Sequence, residues 1–168
     1  TGQIYIPRSI FHQNQEFIIT SIKESSFKNN LNISAIRFPP DSEIQIIEKY
    51  SFALSSIEGI FIPRRVKTIG EGAFMLCHKL QFVEIPEDSE LQTIEKSAFS
   101  STLISSITIP DTFCEFKSGW STRASRLSRV KIMPNNQRYK NYGDDLIIGK
   151  SDIKSDNFDV LIFANRNI

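Results

Sequence analysis

A twelve-residue segment occurs twice in this chain, and this repetition constrains the fold more than any other feature of the sequence. Residues 88–99 (DSELQTIEKSAF) repeat residues 41–52 (DSEIQIIEKYSF) at an offset of 47 residues, with identical residues at eight of the twelve positions. A match of this length at a fixed offset indicates an internal repeat, and a repeat sets the architecture of the whole chain. The sequence is therefore predicted to fold as a stack of similar units.

Each unit carries two apolar signatures. The first, Leu/Ile-x-x-Ile/Val-x-Ile/Phe, is usually followed by proline and begins at Ile33, Ile57, Leu80, Ile104 and Leu127, in steps of 24, 23, 24 and 23 residues. The second places isoleucine five residues before phenylalanine, in the pairs Ile22/Phe27, Ile47/Phe52, Ile69/Phe74 and Ile94/Phe99. The turn after the proline alternates between a longer and a shorter form, so two unequal units make up the 47-residue repeat.

The first signature predicts a short β-strand, because β-branched residues alternate with other residues and a proline ends the run. One such strand cannot bury its apolar side alone, but strands stacked about 4.8 Å apart bury a continuous apolar column. A small residue, alanine or serine, precedes each phenylalanine and leaves room for the ring of the next unit. These patterns predict a β-rich solenoid with strands on one face and turns or short helical pieces on the other.

The same residues match the leucine-rich repeat formula L-x-x-L-x-L. More closely, residues 62–86 follow end to end the unit I-P-x-x-V-x-x-I-G-x-x-A-F-x-x-C-x-x-L-x-x-V-x-I-P of the BspA-like leucine-rich repeats. The resemblance extends over residues 20–134. It implies a leucine-rich repeat solenoid from a cell-surface or secreted protein of the kind found in oral bacteria and mucosal protozoan parasites, with a role in attachment to host cells or matrix proteins.

Both ends of the chain depart from the repeat. We predict a solenoid over residues 1–134, with an insertion at 8–21 in an atypical first unit, and a non-repeat capping or inter-block segment over residues 135–168. Residues 135–143 are predicted as a loop, and residues 146–149 and 158–164 as two strands of a hairpin that caps the open end of the stack. This segment resembles the inserts between repeat blocks in protozoan members of the family.

Composition and charge exclude several classes of protein. Apolar residues make up 40% and charged residues 23% of the 168 residues, as in an ordinary folded domain. The formal net charge of +1 gives no general attraction to nucleic acid or to anionic lipid. No apolar run approaches the roughly 20 residues of a membrane helix. Since the chain opens in mid-pattern without a leader, we expect a fragment whose signal peptide or membrane anchor, if any, lies outside it.

No combination of residues predicts catalysis, a metal site or a cofactor. The two histidines, His12 and His78, have no partner at helical ligand spacing, and the sequence GKS at 149–151 lacks the first glycine of a phosphate-binding loop. The acidic residues near the C-terminus lack the spacing of a calcium loop; they are Asp144, Asp145, Asp152, Asp156 and Asp159. We expect Cys77 and Cys114 to be separate buried thiols, with a disulfide as the alternative.

The solvent-facing positions of the strand face form the predicted binding site. The third and fifth positions of each signature should face water, and Phe61 and Phe82 fall at such positions on neighbouring strands. Exposed aromatic rings side by side indicate a binding surface. The predicted binding face comprises Arg37, Phe61, Phe82, Glu84, Thr108, Arg129 and Lys131. Alternatively, the two rings shield each other and the sheet, or the strands have the opposite register.

Asn32 is the first residue of an N-glycosylation sequon and is a possible site of glycan attachment.

Two functions follow as hypotheses. The first is a non-catalytic binding module of a surface adhesion protein, which contacts an unidentified host protein or glycan through the strand face. The second is a structural spacer without a ligand, which should show no contiguous exposed apolar patch on that face. An enzyme is disfavoured because no catalytic constellation is present. No nucleic-acid partner is expected, any membrane contact lies outside this chain, and the oligomeric state is open.

Overall fold

The computed structural model describes residues 2–164, which contain sixteen short strands and no helix. Residue 1 and residues 165–168, at the ends of the two segments predicted from the sequence, lie outside this range. Among the described residues no helix is long and apolar enough to cross a membrane. The strands are β1 (Gly2–Tyr5), β2 (Ser9–His12), β3 (Gln15–Ile18), β4 (Ser21–Ile22), β5 (Ile33–Arg37), β6 (Ile46–Ile47), β7 (Gly59–Phe61), β8 (Thr68–Ile69), β9 (Phe82–Glu84), β10 (Thr93–Ile94), β11 (Ser106–Ile109), β12 (Glu115–Phe116), β13 (Arg129–Ile132), β14 (Tyr139–Tyr142), β15 (Leu146–Gly149) and β16 (Val160–Ala164).

Two parallel sheets run along the stack, and this architecture confirms the predicted β-rich leucine-rich repeat solenoid. The strand face is built from β1, β5, β7 and β9 in that order, with the pair β11–β13 next to β9. The second sheet contains β4, β6, β8, β10 and β12. Each coil of the chain therefore contributes one strand to each sheet, which is the arrangement that a repeat of about 24 residues dictates.

Equivalent residues of successive units stand beside one another inside the stack. On the strand face Ile36 pairs with Ile60, and Ile60 pairs with Val83. In the second sheet Ile47 pairs with Ile69. All of these side chains are buried, so the apolar positions of the repeat form continuous columns. Each fully buried aliphatic side chain contributes about 1.5–3 kcal/mol relative to an exposed one.

The phenylalanines of the second signature form a stacked column through the core. Phe27, Phe52, Phe74 and Phe99 follow one another with ring centroids 5.2, 5.2 and 5.3 Å apart and planes within 3° of parallel. The buried ring of Trp120 ends the column edge-on, at 6.3 Å from Phe99. The tryptophan thus occupies the core at the point where the sequence departs from the repeat.

Tight turns, rather than short helical pieces, connect the two sheets on the side of the phenylalanine column. Most coils contain two residues with positive φ in this turn, for example Gly72 (57°) and Leu76 (61°). The backbone N–H groups of both donate to the next coil, to the carbonyl oxygens of Lys96 and Ser100 at 2.9 Å. The left-handed residues therefore direct N–H groups along the stack, where a helix would keep them within its own turn.

Replacing Ser97 by glycine is expected to stabilise the protein by up to about 1 kcal/mol, because Ser97 adopts φ 57° and glycine avoids the cost of that conformation. Gly72 already occupies the equivalent position of the preceding coil, at the same φ of 57°. The urea midpoint measures the change. Ser56→Gly, at a residue that follows the turn and lacks positive φ, should instead lower stability. Equal destabilisation by both substitutions would contradict this account of the turn.

The predicted insertion at residues 8–21 contains an antiparallel hairpin of β2 and β3. Its base lies near the solenoid, where Arg8 approaches the carboxylates of Asp41 (3.7 Å) and Glu43 (3.9 Å). The hairpin exposes several apolar side chains, and Phe11 is 75% accessible. The hairpin therefore projects from the first coil without contributing to the core.

The C-terminal segment forms an antiparallel sheet of three strands, β14, β15 and β16. The strands expected near 146–149 and 158–164 are present, but the loop expected over 135–143 is wrong in part, since Tyr139–Tyr142 is a strand. The side-chain amide of Asn141 donates to the carbonyl oxygen of Val130 and accepts from the N–H of Ile132, both at 2.8 Å. Asn141 thus binds edge groups of β13 that a further strand would otherwise pair.

The two cysteines are free thiols in different environments. Cys77 is buried as expected, and its Sγ lies 3.0 Å from the carbonyl oxygen of Phe52. Cys114 is exposed, which corrects the expectation of two buried thiols. Cys114 occupies the repeat position of Lys67 and Gln92, which are also exposed, whereas the counterpart of Cys77 in that unit is the buried Ala124.

Candidate functional site

The strand face presents two columns of outward-pointing side chains, at the third and fifth positions of each signature. The third-position column includes Phe82 beside Gly59, and the fifth-position column includes Phe61 beside Glu84. Phe61 is 57% and Phe82 53% accessible to solvent. The register of the strands therefore places both rings on the outer surface, while Ile60 and Val83 between them point inward.

The ring of Phe82 leans across the strand face and covers Gly59. A Cβ atom added to Gly59 would lie only 1.9 Å from Cζ of Phe82, so the absence of a side chain at residue 59 makes room for the ring. This contact explains why Gly59 is buried although it was expected to face water. Phe82 lies on the strand next to that of Phe61 and diagonal to it, and the two exposed rings are called the aromatic patch below.

A shallow apolar groove of about 260 Å³ continues the patch toward the prolines that follow the strands. Phe61 forms one of its walls, and Arg64 lies at its rim. The remaining lining residues are Phe38, Pro39, Pro40, Ile62, Pro63 and Pro86. Sequence reasoning missed this groove, because each proline was interpreted only as the end of a strand. The recurrence of proline at one position of each unit was the signal that would have indicated a proline-lined surface.

Charged groups surround the aromatic patch. Arg37 is exposed next to Tyr5, its partner in register, and its Nε donates to Oε1 of Gln3 at 2.9 Å. On the other side Glu84 is exposed beside Phe61. The patch therefore has an apolar centre and a polar margin, which is the composition typical of protein interaction surfaces.

The remaining residues of the predicted face lie farther along the stack, on β11 and β13. Thr108 pairs with Lys131 and is half-buried, whereas Arg129 and Lys131 are exposed. Nζ of Lys131 lies 3.9 Å from a carboxylate oxygen of Glu87. The structure thus brings all seven predicted residues to one face, but it separates the aromatic patch from the basic residues by the strand β11.

Metal binding and nucleophilic chemistry would draw first on the histidines and cysteines of the chain. Residues 2–164 contain no cluster of three histidine, cysteine or acidic side chains able to hold a metal ion. His12 lies in the projecting hairpin, whereas His78 follows Cys77 in a turn of the solenoid. Burial raises the pKa of the Cys77 thiol, so this group remains protonated rather than forming a reactive thiolate.

Asn32 lies immediately before β5 and is exposed. Its backbone N–H is bound by the side-chain oxygen of Asn30 at 3.1 Å. Exposure of the Asn32 side chain is a condition for attachment of a glycan, so glycosylation at this residue stays a prediction.

Comparison with known proteins agrees with the observed architecture. Residues 6–127 match the BspA type leucine-rich repeat region in six copies. Curated proteins gave no match. The fold is similar to that of the pneumococcal vaccine antigen PcpA, with a TM-score of 0.75 and 20% sequence identity over 88% of this chain and 44% of the antigen. A leucine-rich cell surface protein from Faecalibacterium prausnitzii gives a TM-score of 0.55 and 17% identity over 89% of this chain and 51% of that protein.

A leucine-rich repeat protein from Bacteroides capillosus is also similar in fold, with a TM-score of 0.52 and 24% identity over 78% of this chain and 76% of that protein. The chain spans about half the length of the first two of these structures. At these identities the likeness concerns the fold. The repeat match covers most of the sequence, and the chain therefore belongs to the BspA-type leucine-rich repeat family.

Proposed function

We propose that this chain is a non-catalytic binding module of a cell-surface adhesion protein and that its strand face contacts a host protein or glycan. The observation that carries the proposal is the aromatic patch of Phe61 and Phe82. Both rings are more than half exposed on the surface of a rigid sheet, where burial by a partner would be favourable. The groove beside Phe61 extends the apolar area available to such a partner.

A spacer is the weaker alternative. A spacer requires only that its coils stack, and polar residues at the third and fifth positions would serve that purpose better than exposed phenylalanine. The two rings also lie on neighbouring strands, and Phe82 leans over Gly59 toward the strand that carries Phe61. Contiguous apolar surface on an otherwise polar face is typical of interaction sites.

The surface location in this proposal is supported by the family and by the relatives of similar fold. One of them is described as a vaccine antigen and another as a cell surface protein. A repeat solenoid also suits adhesion on physical grounds, because its extended face offers many side chains in fixed positions. Host cells and matrix components are therefore the first partners to test.

Replacing both Phe61 and Phe82 by alanine is expected to reduce binding to host cells or immobilised matrix proteins at least about tenfold, because exposed aromatic anchors contribute most of the energy of such contacts. The unfolding midpoint should change little, since both side chains are largely exposed. Surface plasmon resonance and cell-binding assays with the purified chain measure the effect.

The matched control replaces Phe11 and Phe17, two exposed phenylalanines of the hairpin that projects from the first coil. This control should bind like the unmodified chain. If the Phe61/Phe82 variant and the control retained equal affinity for a partner that the unmodified chain binds, the strand-face site would be wrong. If the unmodified chain bound none of a broad panel of host surfaces, the spacer would be favoured.

A further inference from the structure

A second surface feature lies at the C-terminal end of the strand face. The turn between β14 and β15 stands beside the start of β13 and forms an open cleft of about 400 Å³ with it. Every lining residue carries a hydroxyl or a charge: Ser105, Ser106, Ser128, Arg129, Asp144 and Asp145. This cleft differs from the aromatic patch in chemistry, and it is separate from the proline-lined groove.

The cleft continues into a smaller one of about 180 Å³ along β13. Arg129 and Asp144 line both, and Lys131 and Asn141 line the second part. The two parts together form a polar trough. Its charged side chains are two carboxylates and two cations, so the trough has no net charge.

The backbone of the trough is held in place on both sides. On one side the N–H groups of Ser128 and Arg129 donate to the carbonyl oxygen of Ser105, at 3.0 and 3.2 Å. On the other side the bonds from Asn141 to Val130 and Ile132 fix β14 against β13, and the β14–β15 pairing extends to the turn. The backbone segments that carry the lining groups therefore keep their positions when a ligand binds, which lowers the cost of binding.

We propose that this trough binds a neutral oligosaccharide. A saccharide presents hydroxyl groups that donate and accept hydrogen bonds, and the trough offers carboxylate acceptors, cationic donors and serine hydroxyls that do both. A phosphate or sulfate group would meet Asp144 and Asp145, and an apolar peptide side chain would find no apolar wall among the residues of the larger cleft. The volume of the larger cleft lies within the range of small-ligand sites.

The inference rests on the proposed binding function, because it names one class of ligand for the same face of the solenoid, but it uses residues outside the aromatic patch. The test is a titration of the ¹⁵N-labelled chain with lactose, maltose, cellobiose and N,N′-diacetylchitobiose at millimolar concentrations, followed by amide NMR shifts. At least one of these sugars should shift the amides of Ser106, Arg129 and Asp144. Arg129→Ala and Asp144→Asn should each weaken that binding about tenfold.

Three controls make the outcome decisive. Arg126→Ala removes an exposed arginine that does not line the trough and should leave binding unchanged. Sialyllactose should bind no more tightly than lactose, because a trough without net charge offers its carboxylate no net attraction. The Phe61/Phe82 double alanine variant should bind the sugar normally, so loss of adhesion in that variant with intact sugar binding separates the two sites. Absence of shifts with all four neutral sugars, tighter binding of sialyllactose, or full binding by Arg129→Ala and Asp144→Asn would overturn the proposal.

Discussion

Replacing Phe74 by alanine is expected to lower the free energy of unfolding by about 3–5 kcal/mol, the range for removing a large buried ring. Phe74 is completely buried and stacks on Phe52 and Phe99 at 5.2 and 5.3 Å. The cavity would open in the middle of the column, where rings on both sides are held by their own coils. The neighbouring rings could fill the cavity only if the hydrogen-bonded coils moved closer together. Little of the lost unfolding free energy can therefore be recovered by relaxation.

Urea unfolding followed by circular dichroism measures this loss, and Phe27→Ala supplies the matched control. Phe27 is at the end of the same column, is only partly buried and has a single ring neighbour, Phe52, within the column. Its removal should cost less than half as much as removal of Phe74. Equal costs at the two positions would show that stacking within the column does not determine stability.

The repeat explains why so much of this fold could be predicted. A single strand signature is ambiguous, but five copies at steps of 23 and 24 residues allow only arrangements in which equivalent positions stand side by side. The inward position of Ile60 and the outward position of Phe61 follow from that stacking together with the two-residue period of a strand. The family follows from the same residues, because its repeat unit is matched over residues 62–86 without a gap.

The structure of the C-terminal segment departs from prediction because this segment lies outside the repeat. Residues 135–143 are rich in asparagine and were interpreted as a loop, because these residues favour turns. Asn136 instead turns the chain so that Tyr139 enters the core, and a strand begins at Tyr139. This strand forms because of contacts with the preceding coils, and no local sequence pattern predicts those contacts. The exposure of Cys114 has a different reason, because Cys114 follows the repeat and occupies the exposed position that Lys67 and Gln92 hold in earlier units.

The candidate site likewise combines features that the repeat predicts with features that it does not predict. The exposure of Phe61 and Phe82 follows from strand register, which the repeat specifies. The lean of Phe82 over Gly59 depends on a glycine in the neighbouring coil, and the trough beside Arg129 depends on a turn that lies outside the repeat. The orientation of equivalent positions could be predicted, whereas contacts that depend on the particular residue in a neighbouring coil or on a segment outside the repeat could not.

Replacing Asn136 by alanine is expected to lower the free energy of unfolding by about 2–6 kcal/mol, because two buried carbonyl groups would lose their donor at about 1–3 kcal/mol each. The side-chain nitrogen of Asn136 lies 2.9 Å from the carbonyl oxygen of Pro110 and 3.0 Å from that of Phe113. Its side-chain oxygen accepts from the backbone N–H groups of Arg138 and Tyr139, at 2.9 and 2.8 Å. One side chain therefore joins the last coil to the C-terminal sheet.

The loss of stability should be concentrated in the C-terminal sheet, because the hydrogen bonds of Asn136 hold Tyr139 against the core. These bonds do not involve the phenylalanine column. Hydrogen exchange should accelerate at the amides of β14 and β15 well before those of β8 and β10 are affected. Asn135→Ala is the matched control, since Asn135 is exposed and its side chain reaches only a carboxylate oxygen of Asp111, at 3.2 Å. This control should cost less than about 1 kcal/mol. Uniform acceleration along the whole solenoid in the Asn136 variant would mean that the C-terminal sheet unfolds together with the stack, and that Asn136 supports the entire fold rather than its end.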